Sequence, residues 1–330
     1  MRVTTAYTFN ASVDTLQRRQ QDLVERQLQL TSGKRVQRAS DDPTSAARAE
    51  RALAAISRTE AEQRAIEASR NAMTLTESAL GDAGELLQQA REAMVAAGNA
   101  SYSDAERAGL AEKLKNLRAQ LFAVANRSDG AGGFLFAGQG AAQAPFIDTP
   151  DGVVYRGTGG GVDTASVEPL PLTVDGGNAW MNAWSGNGSF VTFNRNSTTA
   201  YIDAGQVTDP SQLKGDTYRI EFGFGGTTYD VYRGDSTVPM ASALFSAGRA
   251  IEIDGMAFTI SGAPAERDTF ELGPSRPELG VFDVLDDAIA ELTTPLRTNA
   301  QVAQTVARTL RDLDASMGAL QGLRAAVGEV

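Results

Sequence analysis

Four carboxylates, Asp283, Asp286, Asp287 and Glu291, crowd one short stretch, and Asp148, Asp151, Asp163 and Asp175 punctuate a glycine-rich region. Such groups could form a metal site or the facing acid and base of a glycosidase. The first set falls in the opening turns of a helical pattern, where carboxylates complement the dipole. The second lies in turn-like sequence, where Asp is expected for backbone reasons. The chain has no Cys and no His, which removes disulfides, Cys/His zinc sites and Ser-His or Cys-His nucleophiles. Only carboxylate, Lys, Tyr or Ser-Lys chemistry is left. Gly33-Lys34-Arg35 is no phosphate loop, because Arg35 replaces the Ser or Thr and Leu28 stands where the first glycine belongs. Gly159-Gly160-Gly161 follows no strong strand and opens no helix, so it reads as a flexible loop. No catalytic, cofactor or metal residue is expected, and the chain reads as no enzyme.

The stretch from Thr31 to Pro43 organises the chain, because one helical pattern stops before it and a longer one starts after it. Gly33 suits a helix end that needs positive φ, Asp42 can cap the next helix, and Pro43 fits its first turn. Gly33, Asp41, Asp42 and Pro43 are the expected hinge.

Before the hinge, Val13, Leu16, Leu23 and Leu30 fall on a heptad frame whose d positions are all Leu, with Gln20 and Gln27 at two a positions. A seam this narrow cannot bury itself and needs a partner helix from this chain or a neighbour. After Pro43 the helical pattern runs to about Ala97. Ile66, Met73, Leu80, Leu87 and Met94 recur every seven residues, backed by a small layer of Ala72, Ala79, Ala83, Ala90 and Ala97. Such a helix would be roughly 80 Å long at about 1.5 Å per residue, which implies a bundle. Gly98-Asn99 ends it, Ser103 and Glu106 form a capping box, and Leu110, Leu114, Leu117, Leu121 and Val124 predict an antiparallel return. The period comes back at Val281 and continues through Val306, Leu310, Leu313, Met317 and Leu320, with a break at Pro295. It is still running at Gly328–Val330.

Between these helical ends the composition turns to Gly, Thr, Val, Phe and Tyr. Gly130–Gly138 reads as a turn into a short strand. Further strands are expected at 153–155, 189–194, 218–224, 227–232, 250–253 and 257–260, with turns at Asp175-Gly176-Gly177, Gly225-Gly226 and Asp254-Gly255. Asp254-Gly255 between two alternating runs is the firmest hairpin. The fold class is therefore α+β, a long antiparallel helical bundle with an inserted mainly-β domain. The expected domains are 1–42 (terminal helix and hinge), 43–130 (helical hairpin), 131–280 (β insert) and 281–330 (C-terminal helices). The simplest burial sets the two end seams side by side, so Val13, Leu16, Leu23, Leu30, Val306, Leu310, Leu313, Met317 and Leu320 are the expected assembly interface.

Net charge is −11, with residues 131–280 carrying 8 basic and 17 acidic groups. An acidic surface repels phosphate backbones, and the basic residues near the hinge lack interleaved aromatics, so no nucleic acid is expected. No run reaches the apolar length of a membrane span. Met1 to Ala11 holds no cleavable signal, which favours the cytoplasm or export by a route that does not cleave.

Thr31-Ser-Gly-Lys-Arg35, Ser40-Asp-Asp-Pro43, Ser128-Asp-Gly130, Phe134-Leu-Phe-Ala-Gly138, Ala144-Pro-Phe146 and Leu172-Thr-Val-Asp-Gly-Gly-Asn178 together resemble the flagellin superfamily, in its hook-associated branch. The resemblance implies a structural subunit of the bacterial flagellum. It implies export unfolded through the flagellar type III apparatus, helped by a cytoplasmic flagellar export chaperone, and assembly with copies of itself in a ring between the first hook-associated junction protein and flagellin. The location implied is the extracellular hook-filament junction, and the cytoplasm before export. Relatives are expected to continue the terminal helix beyond Val330. Flagellin itself is the nearest alternative, but flagellins typically have Ala where Pro43 stands. A carboxylate-based surface glycosidase is the remote one.

Overall fold

The computed structural model describes residues 5–36, 38, 40, 42–140 and 143–329, which form two units, one ending at Arg64 and the other starting at Ala65. In the first unit α1 (Thr5–Ser32) stops at Gly33, whose φ of +64° suits only a residue without Cβ strain. The next helix, α2 (Pro43–Ala97), is capped by Asp42 and supplies residues to both units.

The second unit begins with a helical bundle. From Ser69 onward α2 buries Met73, Leu80, Leu87 and Met94 together with Ala79, Ala83, Ala90 and Ala97, while Ile66, first of the expected stripe, stays exposed. The Ser103 capping box opens α3 (Asp104–Ala125), which buries Leu114, Leu117, Leu121 and Val124. Near the C-terminus α5 (Val281–Thr293) and α6 (Asn299–Gly328) are separated by the turn at Pro295 and Leu296. A second capping box, Thr298 with Gln301, restarts the helix there.

The expected single β insert over 131–280 divides between two cores. Its first part packs on the bundle. A hairpin of β1 (Phe146–Thr149) and β2 (Gly152–Tyr155) and the short helix α4 (Gly176–Met181) bury Phe146, Val153 and Trp180 in the helical core. Trp180 stacks on Phe282 of α5 with ring centroids 6.0 Å apart, and Phe136 meets its edge at 5.4 Å. Gly130–Gly138 forms no strand, since Phe134 and Ala137 make single bridges to Ser128 and Asp175. Asp175-Gly176-Gly177 is likewise a helix start rather than a turn, with Asp175 as N-cap. Gly138, at φ +66°, explains part of the glycine pattern: a Cβ there would stand 1.8 Å from the Thr158 carbonyl oxygen.

The remainder is a sandwich with its own core of Phe190, Ile202, Tyr218, Ile220, Phe222, Phe258, Ile260, Phe270 and Leu272. A ribbon of β3 (Ala183–Trp184) and β13 (Pro277–Leu279) leads into it. One antiparallel sheet joins β4 (Phe190–Asn194), β12 (Thr269–Pro274), β7 (Tyr218–Phe222), β8 (Thr228–Arg233) and β9 (Ala241–Leu244), in that spatial order. The facing sheet places β11 (Met256–Gly262) between β10 (Ala250–Ile253) and β5 (Ala200–Ile202), and β6 (Gln206–Val207) also pairs with β11. The hairpin at Asp254-Gly255 is present, with Ile253 opposite Met256 and both turn residues at positive φ.

Candidate assembly site

At the hinge, the Asp42 carboxylate closes a ring of donors. It accepts from the Ser45 amide at 3.0 Å and from the Thr44 and Ser45 hydroxyls at 2.7 and 2.6 Å, and it pairs with Arg35 at 3.2 Å. The Ser45 bonds, then Thr44 and Arg35, hold its carboxyl well below the usual carboxylate range. The Gln29 amide donates back to the Arg35 carbonyl at 3.1 Å, so the last turn of α1 and the residues after Gly33 share one hydrogen-bond set. Gly33 and Pro43 sit at the helix end and helix start expected of them. Asp41 lies outside the described residues.

The seam expected along both ends is filled at one end and open at the other. Leu16, Leu23 and Leu30 are 65%, 60% and 83% exposed, and Val13 is half-buried. On α6, Leu313 and Leu320 are buried in the bundle core, and Val306, Leu310 and Met317 pack partly buried against it.

Among the described residues the two carboxylate sets meet on one cation and not around a metal or substrate site. Asp148 lies on β1, not in a turn, and the Arg118 guanidinium of α3 donates to both its oxygens at 2.8 Å. That pairing lowers the Asp148 pKa. Arg118 also reaches Asp286, with Nε 2.5 Å from Oδ1, so one cation ties α3, β1 and α5 together. Asp287 and Glu291 face Arg308 at 3.5 and 2.6 Å, and Glu291 also pairs with Arg297 at 3.2 Å. Asp175 accepts from the Gly160 amide at 3.1 Å and from Asn178, which ties the glycine triplet to the cap of α4. Among the described residues no acidic cluster could hold a metal ion, and no helix is long and apolar enough to cross a membrane.

Sequence reasoning missed Arg118, Gln304 and the clamp on Asp254. Gln304 bridges α6 to the β5 edge, where it pairs with both backbone polar groups of Ile202. Asp254 accepts from Tyr218 at 2.5 Å, Lys214 at 3.1 Å and Arg233 at 2.6 Å. All three join residues far apart in the chain, for which periodicity and local motifs carry no signal.

End helices around a strand-rich middle make this chain similar in architecture to flagellin-like proteins of the hook-associated kind. The family described as the bacterial flagellin N-terminal helical region matches residues 3–141, and the D2-like domain of flagellar hook-associated protein 1 matches residues 191–274. The particular protein the chain resembles is flagellar hook-associated protein 3. That of Salmonella typhimurium is 34% identical over 165 residues, 48% of this chain and 49% of that one, and the Escherichia coli protein is 33% identical over 156 residues, 45% and 47% of the two. The matched stretch thus spans about half the length of these curated relatives. In three dimensions, Xanthomonas campestris FlgL superposes with a TM-score of 0.77 at 29% identity, covering 84% of this chain and 92% of that one. The flagellar junction protein FlgL of Legionella pneumophila gives 0.77 at 26% identity, covering 86% and 97%. The resemblance read from the motifs, and the α+β fold class, are borne out by these matches. The motif segments also meet in space: the Gly138 amide donates to the Val174 carbonyl at 3.0 Å and the Val174 amide to the Leu135 carbonyl at 3.2 Å.

Proposed function

We propose that this chain is a structural, non-enzymatic subunit of the bacterial flagellum that joins hook to filament. One observation carries the reading: α1 presents Leu16, Leu23 and Leu30 to solvent on a single face, while the corresponding seam of α6 is filled. An exposed leucine line on a helix is a surface that association would cover. The likeness to hook-associated protein 3 in sequence and to FlgL in fold supports this assignment. In this reading the α1 seam is the assembly face, the hinge around Gly33 and Asp42 sets its direction, and the bundle walls off Leu313 and Leu320. The partners are copies of the chain in a ring, the first hook-associated junction protein on one side and flagellin on the other. An export chaperone holds the chain before it leaves the cell through the type III apparatus. The domains act as terminal segment (1–42), bundle (43–130 with 281–330) and outward β region (131–280).

The test adds purified protein to isolated hooks with and without the first junction protein. Binding that requires the junction protein, and that Leu16→Ser with Leu23→Ser weakens at least about tenfold, is expected. Long filaments formed by this subunit alone would point to flagellin instead. In dilute free chain, limited proteolysis should cut within residues 1–40 before any cut after Ala65; cleavage in the reverse order would count against an uncovered seam.

A further inference from the structure

The bundle and the sandwich bury separate sets of residues, and the chain passes between them along the paired β3–β13 ribbon. Ser185 and Arg276 lock that ribbon, with the Ser185 amide donating to the Arg276 carbonyl at 2.9 Å and the Arg276 amide to the Ser185 hydroxyl at 3.0 Å. Away from the ribbon, hydrogen bonds tie the sandwich to α6. Thr298 donates its hydroxyl to the Thr198 carbonyl, and Arg311 donates to the Thr192 hydroxyl at 3.3 Å. Between them stands Gln304, whose side-chain oxygen accepts from the Ile202 amide at 2.9 Å and whose nitrogen donates to the Ile202 carbonyl at 3.3 Å.

The place Gln304 occupies is a strand edge. The Asp203 amide donates to the Thr259 carbonyl of β11 at 3.1 Å, and antiparallel alternation then turns the N–H and C=O of Ile202 to the open side of β5. A primary amide carries the same donor and acceptor as a peptide unit, so Gln304 completes the ladder as a single residue of an added strand. Side chains of β4 satisfy neighbouring carbonyls on and beside the same β5 strand, with the Thr192 hydroxyl donating to the Asp203 carbonyl at 2.7 Å and the Asn194 amide to the Ala200 carbonyl at 3.0 Å. Open edges are hazards, and side chains that occupy them guard the sheet.

We propose that Gln304 is a releasable latch: it fixes the orientation of the sandwich on α6, and its release lets the sandwich turn on the β3–β13 ribbon while baring the β5 edge. Water can satisfy Ile202 and Gln304 alike once they part, so this pair costs little to break, and the single ties of Thr298 and Arg311 part with it. Space for such a turn lies in an open groove of about 720 Å³ between the ribbon and α6, C-terminal to the latch along that helix. Its α6 wall joins the small residues Ala315, Gly318 and Ala319 to Arg311 and Asp314, and Trp184 overhangs it half exposed. A partner that grips the sandwich in one orientation shifts the population in proportion to its differential affinity. The latch is a positioning residue, and its existence does not depend on the flagellar reading.

The chain has no cysteine of its own, so Glu92→Cys on α2 and Val238→Cys on the sandwich, both exposed, accept spin labels cleanly in the full chain. Pulsed electron resonance should give one narrow distance distribution in this background. Adding Gln304→Ala should broaden it, and should speed exchange of the Ile202 amide by about tenfold, the factor expected for loss of one hydrogen bond. The Ile220 and Phe270 amides, in the sandwich core, should keep their protection. Gln304→Asn, which retains the amide but is one methylene short, should behave like Gln304→Ala. An unchanged distribution in both variants, or an Ile202 amide exchanging at the parent rate, overturns the latch. So does loss of protection at Ile220 and Phe270 together with Ile202, because Gln304 would then support the sandwich core instead of its orientation.

Discussion

Helices α1 and α6 both carry a heptad seam, with leucines every seven residues on α1 and apolar residues alternating by fours and threes on α6, yet they end in opposite surroundings. Leu313 is wholly buried, whereas Leu23 is 60% exposed. The difference lies in the neighbours. The core that receives Leu313 and Leu320 is lined by a layer of alanines, Ala79, Ala83 and Ala90, small enough for helices to approach closely. On α1 the narrow leucine line is interrupted by Gln20 and Gln27 at the flanking positions. Periodicity therefore names the face of a helix that seeks cover, and the cover depends on what the rest of the chain brings to it.

The sharpest break of that comparison is a pair of identical substitutions. Leu313→Ala should cost the free chain about 2–5 kcal/mol, the range for emptying a packed leucine site. Leu23→Ala should stay within about 0.5 kcal/mol, because little is buried there to lose. Denaturant unfolding monitored on the bundle measures both, and equal losses would mean that the two seams are covered alike in solution. Leu23→Ala is then the variant of interest in assembly, since any effect it has there is uncoupled from folding.

Much of the architecture was legible because it is periodic or punctuated. The 55-residue helix from Pro43 to Ala97, the Ser103 capping box and the Asp254-Gly255 hairpin follow from local chemistry, and each is where its residues put it. The short strands β5 and β6 were missed because two or three residues are too few to show alternation, and β9 because it is exposed along its whole length and has no buried face to mark it. The central strand β12 was missed although its Phe270 and Leu272 do alternate, and it ends in Gly273 and Pro274, residue types that strand interiors disfavour. The split of the 131–280 segment between two cores had no sequence signal at all. Phe146 and Trp180 are as aromatic as Phe222 and Phe270, and only the fold decides that the first pair joins helices and the second pair strands.

A smaller effect sharpens the contrast between packing and polar ties within the bundle. Arg118 is largely buried and grips Asp148 and Asp286, on β1 and α5. Both acids are half exposed, so solvent screens part of the attraction. Arg118→Met keeps an apolar stem and removes the guanidinium, whose central carbon stands 6.0 Å from the Phe282 ring centroid. It should cost about 2 kcal/mol, less than Leu313→Ala, with the loss shrinking in high salt as surface ion pairs do. A salt-independent loss would show instead that the hydrogen bonds from Arg118 to Asp148 and Asp286 matter more than screened attraction between the charges.

The smallest effect concerns the sandwich, where one carboxylate clamps the turn of a hairpin to the opposite sheet. Asp254 is mostly buried and accepts from Tyr218 first, then Lys214 and Arg233, and these partners hold its pKa below the usual value. A carboxyl depressed in the folded state stabilises above its unfolded pKa of about 4 and loses that contribution as pH falls through the folded value. Tyr218 is displaced the other way, pushed up to about 12 by burial and by the Asp254 carboxylate. Its unfolded form ionises near pH 10, so stability declines as pH rises from about 10 to about 12. Asp254→Asn keeps an acceptor for the Tyr218 hydroxyl and tolerates the positive φ of 42°, but it discards the two ion pairs. It should cost about 1 kcal/mol at neutral pH and leave the sandwich less sensitive to pH at both ends. Urea unfolding from pH 2 to 12 measures this, and parallel curves for parent and variant would place the acid sensitivity of the sandwich on other carboxylates.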